Sequence, residues 1–245
     1  MTEIVKLEDV QEVAEEAARR WVQIARESID ARGAFRVMLS GGYSPRPLYR
    51  LMSSEPWQSQ APWEQTYVFF TDERRVAPSD PESNYRMARE TMLDHVPIPA
   101  EHIFQLQGTG LASSIIRDYE TKLRRHFDLS KGEWPRFDLV LLGLGGDGHI
   151  ASIFPGTRAV SDLSNTVVVY EAPSLKAERV TVTLPVINHA RHILFLVTGA
   201  EKSDPLCEAL DGPFKPSAHP SQAVKPVDGT LTWLVDKATA SRLKS

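Results

Sequence analysis

The sequence predicts an α/β protein with an open, mostly parallel, Rossmann-like sheet and helices on both faces. Short apolar segments alternate along the chain with longer amphipathic ones. Several short segments, 67–70 and 137–142 among them, are apolar at nearly every position, as strands covered on both faces are. Glycine-rich turns follow two of the expected strands, at 41–42 and 143–148, and open α/β sheets collect ligands at the carboxyl ends of their strands.

Each element has its own signal. From Leu7 to Arg32 apolar residues recur at helical spacing (Val10, Val13, Ala14, Ala17, Trp21, Ile24, Ala25) with charges between them, which predicts an amphipathic helix. Ala34 to Leu39 reads as a strand between Gly33 and Gly41-Gly42. A helix is expected to start at Ser44, with Ser44 as N-cap and Pro45 in the first position. Gln65 to Thr71 reads as a buried strand, followed by a polar loop. Ser83 to Leu93 and Leu111 to Phe127 read as helices. Strands are expected at Phe137–Leu142, Val167–Tyr170, Val180–Leu184, Ile193–Thr198 and Leu231–Val235, and helices at Glu201–Leu210 and Lys237–Leu243. The proline-rich stretch from Asp211 to Asp228 reads as a long loop inside the domain, since one strand and one helix remain after it. A single domain spanning 1–245 is expected.

Composition excludes several classes. Of 245 residues, 42% are hydrophobic, enough for a core, so disorder is not expected. Lysine plus arginine is 28 and aspartate plus glutamate 32, a net charge of −4. Bulk attraction to nucleic acid or an anionic membrane is therefore not expected, and an anionic ligand must be held by a few local cations. The single Cys207 forms no internal disulfide and fits a reducing cytoplasm. It is expected in the core. Neither a signal peptide nor a membrane span is expected.

Three strand ends carry the chemistry. Ser40-Gly41-Gly42-Tyr43-Ser44-Pro45 is a candidate phosphate cradle, because two glycines let backbone N–H groups face a ligand. The bland reading is a tight strand-to-helix turn. Asp72-Glu73-Arg74-Arg75-Val76 suits a polar pocket rim whose arginine pairs with phosphate, or a surface cluster of salt bridges. Gly143 to His149 formally matches GxGxxG, with Glu171 at about the spacing of a ribose-binding acid. The dinucleotide reading fails because Asp147 would repel a pyrophosphate, Pro155 would cut the following helix, and the fingerprint normally opens its domain. What remains is a glycine turn presenting His149, able to move a proton near neutral pH, beside Asp147, able to orient it. Gly145 belongs to the same turn. Arg179 and Lys202 lie near later strands as further cations. His189 and His192 lack a third ligand at metal spacing, so no metal is expected. The five tryptophans are scattered and form no stacking platform.

Taken in order, these segments resemble the 6-phosphogluconolactonase family, in the wider group that includes glucosamine-6-phosphate deaminase. The resemblance runs from the first helix to about Ala238. It is carried by Leu39-Ser40-Gly41-Gly42, Thr71-Asp72-Glu73-Arg74 with Val76 and Ser83-Asn84, and the long motif from Gly143 to Gly156. Glu178-Arg179-Val180-Thr181, Gly199-Ala200-Glu201-Lys202 and Trp233 support it. The family's Ser-Thr-Pro after the two glycines is Tyr43-Ser44-Pro45 here, and its proline-rich approach to the arginine strand is reduced to Pro173-Ser174-Leu175-Lys176. The resemblance implies a phosphosugar-lactonase fold, 6-phosphoglucono-1,5-lactone as small-molecule substrate, and no cofactor. It implies His149 as general base with Asp147 beside it, and Ser40, Gly41, Gly42, Ser44, Asp72, Arg74, Gly145, Arg179 and Lys202 around the substrate and its phosphate. The deaminase has a tyrosine where Arg74 stands and a proton-handling glutamate where Phe154 stands, so the lactonase is favoured. A deaminase-like isomerase and a non-catalytic phosphosugar sensor are the alternatives.

Overall fold

The computed structural model describes residues 2–172 and 177–244. Six strands form one parallel sheet in the order β1-β9-β8-β5-β2-β3. They are β1 Thr2–Leu7, β2 Phe35–Leu39, β3 Thr66–Phe70, β5 Leu139–Leu142, β8 His192–Val197 and β9 Thr230–Asp236. A second, antiparallel sheet pairs β4 Asp72–Arg74 with β7 Ala177–Val182, and β7 with β6 Val167–Ala172.

The helices are α1 Val10–Arg32, α2 Arg46–Met52, α3 Trp57–Gln60, α4 Asn84–Thr91, α5 Ala112–Phe127, α6 Leu184–Asn188 and α7 Ser203–Leu210. Asp9 caps α1 through its carboxylate, accepting from the N–H groups of Gln11 and Glu12, and Gly33 ends it in the left-handed region at φ 72°. The two faces of the main sheet are covered by different helices. Phe35 meets Trp21 of α1 edge-on at 5.6 Å. The next residue along β2, Arg36, points the other way and lies over Phe127 of α5. Phe69, in register with Met38 on that second face, stacks on Phe104 and packs against Phe127 and Phe137.

Several sequence expectations need correction. The first residues form strand β1, in which only Val5 and Leu7 turn inward, too short an alternation to read; it pairs with β9, at the sheet edge. Strand β4 is too short and too polar to be read from periodicity, and pairing with β7 alone makes it a strand. The expected strand at Val180–Leu184 ends at Val182, and Leu184 opens α6. Helix α2 begins at Arg46 with Pro45 in the capping position, so Ser44 is not its N-cap. At the end of the chain only a 3-10 turn forms, over Thr239–Arg242. Cys207 is half-buried on α7 rather than in the core. No α-helix opens at the glycine turn after β5; residues 150–157 form turns. Among the described residues no helix is long and apolar enough to cross a membrane.

The chain runs from β2 outward to β3 on one side, then returns to place β5 on the other. The carboxyl ends of β2 and β5 therefore flank a topological switch point, where an open sheet leaves a crevice.

Candidate active site

The first wall of that crevice follows β2. Gly41 is fixed as glycine by its neighbour: a Cβ there would lie 1.7 Å from Oδ1 of Asn84. Gly42 adopts φ 85°, which favours glycine for a second reason. The Ser40 hydroxyl is buried without a hydrogen-bond partner among the described residues.

Asn84 is delivered by Glu73. This buried carboxylate accepts from the Ser83 hydroxyl at 2.9 Å and from the N–H groups of Asn84 and Tyr85 at 2.7 and 2.9 Å, so it holds the first turn of α4. Burial pushes its carboxyl above the usual range, although these bonds pull the other way. Asn84 then donates to the backbone oxygen of Asp72 at 3.0 Å and accepts from the Arg74 guanidinium. Asp72 itself accepts from Ser152 Oγ at 2.6 Å and from Thr71 Oγ1 at 3.0 Å. Two strand ends and one helix start are thereby locked together.

The second wall is the turn after β5. The Gly148 N–H donates to the oxygen of Gly145 at 3.0 Å, and the Gly145 N–H to the oxygen of His149 at 2.8 Å. The turn brings the imidazole of His149 so close to Gly145 that a Cβ there would lie 2.0 Å from Nδ1. The ring also stacks on Phe154, with centroids 4.2 Å apart. Its Nδ1 lies 2.5 Å from Oδ1 of Asp147, and its backbone N–H donates to the same oxygen at 3.1 Å. Partial burial opposes the charge on Asp147, but the His149 hydrogen bonds prevail and hold its carboxyl below the usual range. With Asp147 accepting from Nδ1–H, Nε2 is the basic nitrogen. The proline-rich loop braces this turn: the Ser221 N–H donates to the oxygen of Gly148, and the Gly156 N–H to that of Ser217.

Between the walls lies a cleft of about 480 Å³. Ser40, Gly41, Gly42, Ser44, Asp72, Arg74, Gly145, His149 and Lys202 all line it, although they come from distant parts of the chain. Asp147 reaches it through His149. Arg179 does not line it. That side chain lines an adjoining pocket of about 220 Å³, which shares Gly42, Tyr43 and Arg74 with the cleft. Pairing of β4 with β7 sets Arg179 directly across from Arg74. Burial, followed by repulsion from Arg74, pushes the Arg179 guanidinium down.

Sequence reasoning did not select Asn84, Ala151 or Glu201, all of which line the cleft, nor Arg46 in the adjoining pocket. Asn84 had a signal, the Ser83-Asn84 pair. Ala151 had none; it takes φ 46°, a strained value for a residue with a Cβ. Other candidates have structural partners: His189 stacks on Trp134, and Nδ1 of His192 lies 2.9 Å from Thr230 Oγ1. Among the described residues no cluster of three or more histidine, cysteine, aspartate or glutamate side chains is set to hold a metal. Pro173-Ser174-Leu175-Lys176 lies outside the described residues.

Residues 8–233 match the family described as glucosamine-6-phosphate isomerases/6-phosphogluconolactonase. A probable 6-phosphogluconolactonase 2 of Oryza sativa subsp. indica is 36% identical, over 98% of this chain and 90% of its own length. A 6-phosphogluconolactonase of Synechocystis is 37% identical over 89% of this chain and 88% of its own. Among solved structures, the 6-phosphogluconolactonase from Trypanosoma cruzi superposes with a TM-score of 0.86 at 31% identity, covering 100% of this chain and 98% of that one. A family match over nearly the whole length, with relatives above 30% identity, means that the chain belongs to the glucosamine-6-phosphate isomerase/6-phosphogluconolactonase family.

Proposed function

We propose that the protein hydrolyses 6-phosphoglucono-1,5-lactone to 6-phosphogluconate, with His149 as general base. The observation that carries this reading is the orientation of His149, its Nδ1 on Asp147 and its ring at the cleft wall. In this reading Nε2 takes a proton from a water as that water attacks C1 of the lactone. The tetrahedral intermediate collapses, the bond from C1 to the ring oxygen breaks, and the imidazolium returns its proton to that oxygen. Base catalysis of this kind contributes about 10²–10⁴-fold. An ester carbonyl is electrophilic enough for the step to need only a base and a place for the oxyanion, and backbone N–H groups of the two glycine turns suit that place.

The phosphate lies, in the same reading, on the Gly41, Gly42 and Ser44 loop, with Arg74, Arg179 and Lys202 as charge partners. Each charge-assisted hydrogen bond contributes about 1.5–3 kcal/mol, so a few offset the net negative charge of the protein. Asp72 and Gly145 complete the substrate pocket. The whole chain, 1–245, acts as one phosphosugar-lactonase domain in the cytoplasm, with the small lactone as partner and neither nucleic acid nor membrane.

The test generates the lactone in situ and follows its loss, spontaneous hydrolysis subtracted, for the protein and for His149→Ala. The expected outcome is a fall in kcat of about 10²–10⁴-fold at nearly constant KM. An active variant with unchanged pH dependence would remove His149 from this role; an inactive parent protein that still binds phosphosugar would favour a sensor or an isomerase.

A further inference from the structure

Tyr43 lines the rim of the cleft and is 84% exposed. An aromatic ring left so exposed on a ligand loop gains nothing from burial, so its contacts define its use. Its one aromatic-cation contact is with Arg46, whose guanidinium carbon sits 4.8 Å from the ring centroid. Arg46 Nε also donates to the oxygen of Gly42 at 3.3 Å, which ties the side chain back to the glycine loop. So placed, Arg46 lines the adjoining pocket with Arg74 and Arg179.

The hydrogen bonds of these three guanidiniums go to neutral oxygens: the backbone of Gly42, the side-chain amide of Asn84 and the backbone of Glu178. The pocket contains one carboxylate, Glu82. Three guanidiniums against one carboxylate leave two positive charges, and a phosphate monoester carries a charge of about −1.5 to −2 near neutral pH.

Resting on the lactonase reading, we propose that Tyr43 is a positioning residue for the substrate's phosphate: by stacking it holds Arg46 as a third guanidinium facing the anion, beside Arg74 and Arg179. Tyr43 touches no reacting atom, so its effect belongs in KM and in anion affinity, not in kcat.

The experiment compares Tyr43→Ser, Tyr43→Phe and Arg46→Gln with the parent protein. It measures kcat and KM on the lactone and, separately, the Kd of inorganic phosphate by calorimetry. A surface cation–π contact accounts for about 2–5-fold in affinity, so Tyr43→Ser should raise KM and the phosphate Kd by that factor while kcat holds. Arg46→Gln should raise both by about 10-fold. Tyr43→Phe keeps the ring face and should restore both values to within about 2-fold of the parent. Unchanged KM and Kd in Tyr43→Ser, or a Phe variant as weak as the Ser variant, would overturn the proposal. So would a loss confined to kcat. The calorimetry separates the two readings: a parent inactive on lactone whose phosphate affinity still falls in Tyr43→Ser sinks the lactonase reading and spares the role of Tyr43.

Discussion

Two groups of three arginines stand at opposite ends of the main sheet and are wired differently. At the amino ends of the strands, Arg32, Arg136 and Arg191 surround carboxylates. Asp138, 1% exposed, accepts from Arg32 at 2.8 Å and from the Arg36 N–H at 2.8 Å, with Arg191 at 3.5 Å. Asp228 takes Arg136 at 2.6 Å. At the carboxyl ends, Arg46, Arg74 and Arg179 bond only neutral oxygens among the described residues. The same side chain fastens buried or half-exposed carboxylates in the first place and is held by neutral oxygens in the second. Arg74 and Arg75 repeat the contrast within one dipeptide: Arg75 is spent on Glu178 and the backbone oxygens of Gly108 and Gly110. Counter-ions, more than arginine counts, separate scaffold from site.

The largest expected effect tests the fastened end. Asp138→Asn leaves Arg32 and Arg191 without their shared charge. Breaking a buried pair costs about 3–5 kcal/mol, and the lower bound applies because those arginines keep part of their surface in water. Denaturant unfolding should show a loss of about 3 kcal/mol, with kcat and KM of the folded fraction unchanged. A stable Asn variant, or one with altered KM, would erase the distinction between the two ends.

The next effect tests the open end. Arg179→Ala should raise KM about 10–100-fold, the loss of one charge-assisted hydrogen bond. Because burial, and then repulsion from Arg74, oppose the charge on Arg179, the same change should leave the unfolding midpoint level or higher. Arg32→Ala, which removes the guanidinium 2.8 Å from Asp138, serves as its mirror, lowering the unfolding midpoint with KM held. If the two variants exchange phenotypes, the assignment of ends is reversed.

How much of this was legible in the sequence follows from how local each signal is. Glycine turns after apolar strands are local, so Ser40 to Ser44 and Gly143 to His149 could be found from the chain alone. The companionship of Arg74 and Arg179 is not local. It depends on a three-residue strand that exists only because β7 pairs with it, 103 positions or more along the chain, as the Arg75 to Glu178 contact shows. Arg46 was invisible for a related reason: the expected cap at Ser44 put the helix start too early, and the stacking on Tyr43 exists only in three dimensions. Strand β1 was lost because only Val5 and Leu7 turn inward, at an edge where one partner suffices.

The smallest expected effect contrasts two histidines. His149 has a carboxylate on its Nδ1, whereas His126 accepts from Arg36 Nε at 3.2 Å and packs among Phe69, Phe104 and Phe127. Burial, then the nearby Arg36 and His102, lowers the pKa of His126 from 6.5 to about 4. A histidine depressed on folding binds its proton more weakly in the folded state than in the unfolded one. Its contribution to stability is therefore complete above pH 6.5 and is lost as the pH falls toward about 4. The ring is partly exposed, so solvent screening limits the effect to roughly 1–2 kcal/mol. Asp147, held below its usual value by His149, loses its own contribution only at lower pH, as the solution falls through its depressed pKa. Unfolding free energy should thus decline in two stages on acidification, and His126→Phe should reduce the first stage, to which His192, also depressed by burial, contributes as well. A His126→Phe variant with the parent slope between pH 6.5 and 4 would shift the cause of that stage to other groups, and the aromatic pocket around His126 would lose its claim to acid sensitivity.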